Sequence, residues 1–205
     1  MTTIALLDYG AGNLHSLAKA LGATGKVEII ADIADAVRAE LLILPGVGAF
    51  GQAAGRIGPD RDTLRGALAD GLPCIGICLG MQLLFDSSEE SAGDGIGFIA
   101  GKVRRINAQR LPQMGWNTVD WPEDANSRRT TLRAPRLDVA YFANSFVGDP
   151  KDESAVVAWA THENDRFPSV VRKANAVGIQ FHPEKSSAPG VEFLRSVAEE
   201  VLECR

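Results

Sequence analysis

Cysteine is scarce in the sequence, and its few copies are poorly placed for disulfide bonds. The 205 residues include three cysteines, Cys74, Cys78 and Cys204, an odd number without the spacing of a disulfide framework. Apolar runs long enough to cross a bilayer are also lacking, because the apolar segments near Leu41 and Ala155 are interrupted by proline, glycine or charge. No basic, apolar leader precedes the first predicted strand. We therefore expect a soluble protein of the reducing cytoplasm, with no membrane partner.

Blocks of like charge are absent as well. The chain carries 21 basic and 26 acidic side chains, which gives a formal net charge of -5, and the basic residues do not cluster. Such a surface argues against nucleic acid as a partner. The sequence also lacks internal repeats, low-complexity stretches and a linker, while its length suits one α/β domain with a large core. We predict that residues 1–205 form a single domain.

The first half of the chain alternates apolar strands with helices. Strands are predicted at residues 3–8, 27–31, 41–44 and 72–77, and helices at residues 33–39, 60–70 and 79–85. A further helix is predicted to end at Leu21, with Asn13 as a plausible N-cap. Continuously apolar strands separated by helices are typical of a parallel sheet that is covered on both faces.

The second half is richer in strands. They are predicted at residues 96–106, 118–121, 139–146, 156–161, 170–173 and 176–181, followed by a closing helix at 189–202. Several of these strands are close in sequence, so we expect antiparallel additions to the sheet. The predicted fold class is α/β with three layers: a mostly parallel central sheet, helices on both faces and antiparallel additions.

A glycine-flanked cysteine is the most informative feature of the chain. Residues 76–80 read Gly-Ile-Cys-Leu-Gly and lie between an apolar strand and a helix. This arrangement is typical of a nucleophile elbow, in which a sharp turn lifts the nucleophile out of the sheet. The helix that follows would favour the thiolate form of Cys78. A purely structural role suits Cys74 better, and no second ligand pair supports a metal site at the two cysteines.

A histidine and a carboxylate follow about a hundred residues later. His182 ends an apolar strand, and Glu184 lies two residues beyond it, across Pro183. In an extended segment the two side chains would lie on the same side of the backbone. With Cys78 they complete a nucleophile, base and orienting carboxylate. The other histidines, His15 and His162, are predicted to be structural or exposed.

A glycine-rich segment follows the third predicted strand, at residues 45–51. It can be an ordinary turn, or a loop that directs a peptide N–H toward developing negative charge. A phosphate-binding loop is disfavoured because the Gly-Lys-Ser/Thr ending is missing. Gln82 lies four residues after Cys78, shares its helical face and could hydrogen-bond a polar substrate.

Together these motifs resemble the class I, triad-type glutamine amidotransferases, which have a flavodoxin-like core. The resemblance extends over essentially the whole chain and is carried by residues 8–14, 44–50, 76–84, 114–117, 167–171 and 180–186. The cysteine elbow and the His-Pro-Glu segment specify the class. Met81 and the Met-Gly-Trp-Asn segment at residues 114–117 are similar to the branch that supplies a cyclase in histidine biosynthesis.

The resemblance implies the chemistry. Cys78 would attack the side-chain amide of glutamine to give a thioester and ammonia, His182 would transfer protons, and Glu184 would orient His182. No cofactor or metal would be needed. The remaining contacts implied by the family are an oxyanion hole formed by Gly46, Val47, Gly48 and Leu79, and glutamine-binding groups at Gln82, Ser145 and Phe146.

The resemblance also implies a partner. Ammonia would pass to a cyclase subunit with a (β/α)8-barrel fold in a heterodimer, and Asn13, Tyr141 and Lys185 match positions that face this subunit. The oxyanion donor is expected to be turned away until the partner is engaged. Three alternatives stay open: a glutaminase subunit of another synthase, a non-catalytic glutamine-sensing subunit, and a stand-alone γ-glutamyl hydrolase.

Overall fold

A computed structural model of the chain describes residues 2–10, 12, 14–122 and 132–204. The strands in this part of the chain are β1 (Thr3–Leu7), β2 (Lys26–Ile30), β3 (Leu41–Leu44), β4 (Cys74–Ile77), β5 (Ser87–Ser88), β6 (Gly101–Arg105), β7 (Gln113–Thr118), β8 (Val139–Asn144), β9 (Phe146–Pro150), β10 (Val156–His162), β11 (Asp165–Lys173) and β12 (Ala176–Ile179). The helices are α1 (Leu14–Leu21), α2 (Ile33–Ala36), α3 (Phe50–Ile57), α4 (Arg61–Ala69), α5 (Leu79–Leu83) and α6 (Ser187–Glu203).

The central sheet has seven strands in the order β10-β11-β12-β4-β3-β1-β2. The five strands from β12 to β2 are parallel to their neighbours, and β10 and β11 extend one edge in antiparallel fashion. All residues of β3 and β4 are buried, as expected for strands covered on both faces. The predicted mostly parallel sheet with antiparallel additions is confirmed.

Helices cover both faces of this sheet and create two separate cores. Along β1, Ile4 packs into the core that contains Leu17 of α1 and the apolar side of α6. Its neighbour Ala5 packs into the opposite core, which contains Phe50 of α3 and the buried faces of α2, α4 and α5. Alternate strand residues therefore serve different layers, which follows from the two-residue side-chain period of a strand. The predicted three-layer architecture is confirmed.

Two smaller sheets complete the fold. One joins β5, β6 and β9, and the other is the antiparallel pair of β7 and β8. The β7–β8 pair is tied to the main sheet through a bridge between Asp120 and Trp159, and the amide of His182, just beyond β12, donates to the carbonyl of Tyr141 in β8. In the described part of the chain, no helix combines the length and the apolar character needed to cross a membrane.

Several boundaries differ from the sequence predictions. Residues 50–57 form α3, although no helix was predicted there, because glycines dilute its apolar face of Phe50, Ala53, Ala54 and Ile57. The strand predicted at 139–146 ends at Asn144, and a separate strand β9 begins at Phe146. The strand predicted at 118–121 was misplaced, since β7 occupies residues 113–118.

The strand predicted at 96–106 was too long, because only Gly101–Arg105 is strand. The apolar residues before it are buried but do not pair with a neighbouring strand. Instead, the amides of Ile96 and Ile99 donate to carbonyls at the end of α5 and just beyond, at Leu83 and Leu84. A short apolar run can thus be buried because it packs over the end of a helix. Its hydrophobic periodicity does not distinguish it from a strand.

Candidate active site

Cys78 occupies a strained turn between β4 and α5. Its backbone has φ 49° and ψ -103°, a conformation that side chains other than glycine rarely adopt. Its amide donates to the carbonyl of Ile179 at 2.6 Å, and its carbonyl accepts from the amide of Gln82 at 3.0 Å. The side chain is 7% exposed. The predicted strand-turn-helix elbow is therefore present, and local strain of this kind is typical of catalytic nucleophiles.

Close backbone contacts explain the glycines around the elbow. A Cβ atom on Gly76 would lie 2.5 Å from the carbonyl oxygen of Gly80. A Cβ atom on Gly80 would overlap the carbonyl of Leu44, and one on Gly46 would overlap the carbonyl of Ile77. The ends of β3 and β4 and the start of α5 can approach one another only because these side chains are missing.

His182 and Glu184 form a buried pair beside the elbow. The His182 Nδ1 and Glu184 Oε1 atoms are 2.9 Å apart, and both side chains are buried. The hydroxyl of Ser186 donates to the His182 carbonyl at 2.7 Å, which fixes the backbone of the histidine. The segment is not fully extended as predicted, since Pro183–Lys185 form a 3-10 turn. Proline at the start of this turn bends the chain, and the turn still brings the carboxylate to the imidazole.

The surroundings of His182 favour its charged form. Burial lowers the pKa of His182, but the interactions with Cys78 and Glu184 outweigh burial and raise the pKa to about 9. Nδ1 is committed to Glu184, while Nε2 is buried and makes no hydrogen bond within the described residues. Nε2 is therefore the nitrogen left for Cys78. By contrast, burial raises the pKa of the Cys74 thiol, in agreement with its predicted structural role.

A cavity of about 240 Å³ opens at the elbow. It contains every residue predicted for the oxyanion hole and for glutamine binding: Gly46, Val47, Gly48, Leu79, Gln82, Ser145 and Phe146, together with Cys78. The cavity lies at the carboxyl ends of β3 and β4, where parallel α/β sheets usually bind ligands. The geometry thus brings these predicted residues together around the nucleophile.

The segment from Pro45 to Gly48 is anchored from its outer side. The hydroxyl of Tyr9 donates to the carbonyl of Pro45, and the amide of Gly12 donates to the carbonyl of Val47 at 3.2 Å. Tyr9 is buried, and burial raises the pKa of its hydroxyl well above the usual value, so it remains a proton donor. Gly48 has φ +142°, in the region that favours glycine.

Sequence patterns missed part of the cavity wall. Glu90, Pro112, Ala143 and Asn144 also line it. The Glu90 carboxylate accepts from the amide of Phe50 at 2.8 Å and thereby caps α3. Glu90 follows Cys78 by twelve residues in an irregular loop, where no side-chain period indicates a facing direction. No sequence pattern therefore indicates that this carboxylate lines the cavity.

Two of the three residues predicted to face the partner are described, and they differ in exposure. Lys185 is exposed and Tyr141 is half-buried, while Asn13 lies outside the described residues. Around Tyr141, the strands β7 and β8 form an apolar surface patch. We call it the β7–β8 patch and define it as Met114, Trp116, Val139 and Tyr141. Met114 is 68% exposed and Trp116 is 55% exposed, and the Trp116 ring packs edge-to-face on Tyr141 with centroids 6.3 Å apart. An apolar group of this size at one surface indicates a contact site.

The other candidate sites are less suited to this chemistry. A larger cavity of about 650 Å³ includes Arg172, Lys173 and Glu200, far from the elbow in the fold, and its Arg172 is already paired with Glu200. His15 is exposed, and His162 Nε2 lies 2.8 Å from the carbonyl of Arg110, so both have the roles predicted for them. Within the described ranges, no three potential ligand side chains cluster as a metal site would require.

Comparison with known proteins gives a consistent result. The family profile described as "Glutamine amidotransferase class-I" matches residues 5–200. The chain is 38% identical to the imidazole glycerol phosphate synthase subunit HisH of Gloeothece citriformis, over 98% of this chain and 97% of the relative. It is 39% identical to the subunit of the same name from Pyrococcus furiosus, over 96% of this chain and 98% of the relative.

Solved structures with the same fold are more distant in sequence. A crystal structure described as a glutamine amidotransferase superimposes with a TM-score of 0.73 at 18% identity and covers 98% of each chain. The structure described as PurLQS from Thermotoga maritima gives a TM-score of 0.72 at 19% identity, covering 98% of this chain and 99% of that one. At these identities the likeness concerns the fold alone.

Proposed function

The chain belongs to the class I glutamine amidotransferase family, and on this premise we propose that it is the glutaminase subunit of an imidazole glycerol phosphate synthase in histidine biosynthesis. The observation that carries the proposal is the strained Cys78 at a pocket beside a histidine bound to a buried carboxylate. The relatives named as this subunit match along nearly their whole length, which supports the same activity and pathway.

The proposed reaction uses the three residues in sequence. The Cys78 thiolate attacks the side-chain carbonyl of glutamine, and His182 gives its proton to the departing ammonia, leaving a glutamyl thioester. His182 then takes a proton from water, which attacks the thioester and releases glutamate. Glu184 holds the imidazole orientation and stabilises its charged form, which fits the raised pKa of His182.

The cavity wall supplies the remaining roles in this proposal. Backbone N–H groups of the loop from Gly46 to Gly48 and of Leu79 stabilise the oxyanion, and a donor of this kind typically contributes about 10²–10³ in rate. Gln82 uses its amide nitrogen on the carbonyl of Phe146 at 2.9 Å, so its carbonyl end remains to accept from the substrate. The Glu90 carboxylate is placed to attract the α-ammonium group of glutamine, and the backbone at Ser145 and Phe146 closes the site.

Replacing Glu184 should change the pH dependence of the reaction. Because Glu184 helps to raise the pKa of His182, Glu184→Gln should lower that pKa. The imidazolium that protonates ammonia is lost as pH rises through its pKa, so the alkaline limb of kcat/KM should lie near pH 9 in the parent and at lower pH in the variant. The measurement is glutamate release by the complex with the cyclase across the pH range.

Glu199→Gln is the matched control, since Glu199 is an exposed carboxylate on α6. It should leave the alkaline limb in place. Turnover at neutral pH should fall less in Glu184→Gln than after loss of the nucleophile. An alkaline limb that does not move in Glu184→Gln would contradict the orienting role.

The β7–β8 patch is the proposed docking surface for the cyclase barrel. It is apolar and exposed, and it adjoins the strand that contacts the catalytic histidine, because the carbonyl of Tyr141 accepts from the amide of His182 at 2.9 Å. A partner on Trp116 would therefore press on the strand that positions His182. Exposed Lys185, three residues beyond His182, is proposed to extend the contact, while the proposed partner residue Asn13 lies outside the described residues.

The partner proposal predicts activation that depends on this patch. Glutamate release should be slow for the chain alone and rise strongly with the ligand-bound cyclase, because uncoupled hydrolysis would waste glutamine. Trp116→Asp should remove the activation at cyclase concentrations that saturate the parent, because it places a charge in an apolar contact. A glutaminase assay against cyclase concentration measures this.

Ile29→Asp provides the control. Ile29 is 46% exposed on β2, at the opposite edge of the central sheet from the β10 strand that β7 adjoins. It should retain full activation. Equal activation of the parent and Trp116→Asp would place the docking surface elsewhere.

Two further features belong to the proposal. The family match to residues 5–200 supports one glutamine amidotransferase domain. The free cysteines, among them the nucleophile, support a reducing compartment, and we assign the protein to the cytoplasm.

A further inference from the structure

Gln180 places a buried amide against the nucleophile. It follows β12 directly, is 0% exposed, and its Nε2 atom lies 3.5 Å from Cys78 Sγ. The backbone N–H of Gln180 donates to the carbonyl of Ser169 at 2.8 Å, which fixes the backbone of Gln180. The triad mechanism gives this side chain no role.

The orientation of the Gln180 amide is determined by a relay that starts at a backbone carbonyl. The Phe146 carbonyl can only accept, so the group of Gln82 that lies 2.9 Å from it must be the NH2 group. The same NH2 group lies 3.4 Å from Gln180 Oε1. The oxygen of Gln180 therefore faces Gln82, and the Gln180 NH2 group faces the sulfur.

We propose that Gln180 is a further catalytic residue, whose amide N–H donates a hydrogen bond to the sulfur of Cys78 and stabilises the thiolate. This inference rests on the proposed role of Cys78 as the nucleophile. Hydrogen bonds to charged acceptors are stronger than neutral ones, and a buried site shields them from competing water. His182 and Gln180 would then stabilise the thiolate together.

The same contact acts when the thioester is hydrolysed. Water attacks the thioester carbon while His182 takes one of its protons. The carbon–sulfur bond then breaks, and its electron pair returns to the sulfur of Cys78. The Gln180 N–H donates a hydrogen bond to the thiolate that forms. The product carboxylic acid releases its own proton to solvent as glutamate forms.

The test is the alkylation rate of Cys78 by iodoacetamide in the full-length Gln180→Met variant, which keeps the side-chain length and removes the donor. At pH 7 the rate should fall about threefold, because loss of a hydrogen bond to a charged group lowers the thiolate fraction roughly tenfold while the less stabilised thiolate is more nucleophilic. The decrease should disappear at high pH, where the thiol is ionised without assistance. The kcat/KM of the cyclase complex should fall by a similar factor, because the same thiolate attacks glutamine.

Several controls make the result decisive. The modified peptide is identified by mass spectrometry, since Cys204 is exposed and also reacts. Ser169→Ala removes a neighbouring buried hydroxyl that has no partner among the described residues, and it should leave the rate unchanged. Far-UV circular dichroism and copurification with the cyclase report that each variant is folded, and Gln180→Leu, which also lacks the donor, serves if the methionine variant is not.

The outcomes separate this inference from the proposed function. A folded Gln180→Met variant that is alkylated like the parent at every pH would overturn the role of Gln180 while the parent complex still hydrolyses glutamine. A parent complex without glutaminase activity would overturn the proposed function itself.

Discussion

Cys78→Ala should abolish glutamine-dependent synthesis by the complex and leave ammonia-dependent synthesis intact. The variant lacks the sulfur that forms the thioester, and loss of a nucleophile from a triad typically costs about 10⁶ in rate. Added ammonia bypasses the pocket entirely. The substitution removes a single heavy atom from a side chain that lines the cavity, so the fold should tolerate it.

The comparison requires three assays on each protein: glutamate release, product formation with glutamine, and product formation with ammonium. Cys204→Ala is the matched control, because Cys204 is exposed near the end of α6 and lines the cavity remote from the elbow. It should behave as the parent in all three. Product formation from glutamine by Cys78→Ala would refute the assignment of the nucleophile.

Gly80→Ala should destabilise the protein and remove glutaminase activity together. A methyl group at this position would overlap the carbonyl of Leu44 in β3, and neither backbone can withdraw without moving the elbow. Overpacking against buried backbone of this kind is expected to cost about 4 kcal/mol or more in the free energy of unfolding. Any folded fraction should carry a displaced Cys78. Denaturant unfolding and glutamate release measure the two effects.

Gly66→Ala tests whether the effect is specific to the elbow. Gly66 lies within α4, and a Cβ atom there would meet nothing within 4 Å. Since alanine is the better helix former, this variant should be stabilised by about 1 kcal/mol and keep its activity. A Gly80→Ala protein as stable and active as Gly66→Ala would show that the close approach of β3 to α5 is not required.

The elbow and the His-Pro-Glu segment could be predicted from sequence because their geometry depends on nearby residue types. Gly76 is needed for a backbone contact with Gly80, which is close in sequence, and the proline is adjacent to His182. The parallel half of the sheet was equally accessible, since β3 and β4 are buried on both faces and therefore continuously apolar.

The remaining features depend on contacts between distant parts of the chain. The relay from Phe146 through Gln82 to Gln180 joins three segments, and the last link spans 98 residues. Nothing local indicates that these amides meet. Glu90 lies in an irregular loop and is held at the pocket by its contact with the first residue of α3. That helix was itself not predicted, because glycines interrupt its apolar face. Similarly, residues 96–99 are apolar because they cover the end of α5, and such an apolar run cannot be distinguished from a strand by its sequence pattern.

In the proposed complex, the amide nitrogen of glutamine is delivered to the synthase product. The most direct measurement supplies the parent complex with glutamine carrying a heavy nitrogen isotope in its amide, together with excess unlabelled ammonium, and determines the isotope in the imidazole product by mass spectrometry. We expect the product to retain the label despite the ammonium in solution, and to lose it in Cys78→Ala. A product that carries only nitrogen from the ammonium, or label that reaches a different acceptor, would refute the proposed delivery of ammonia.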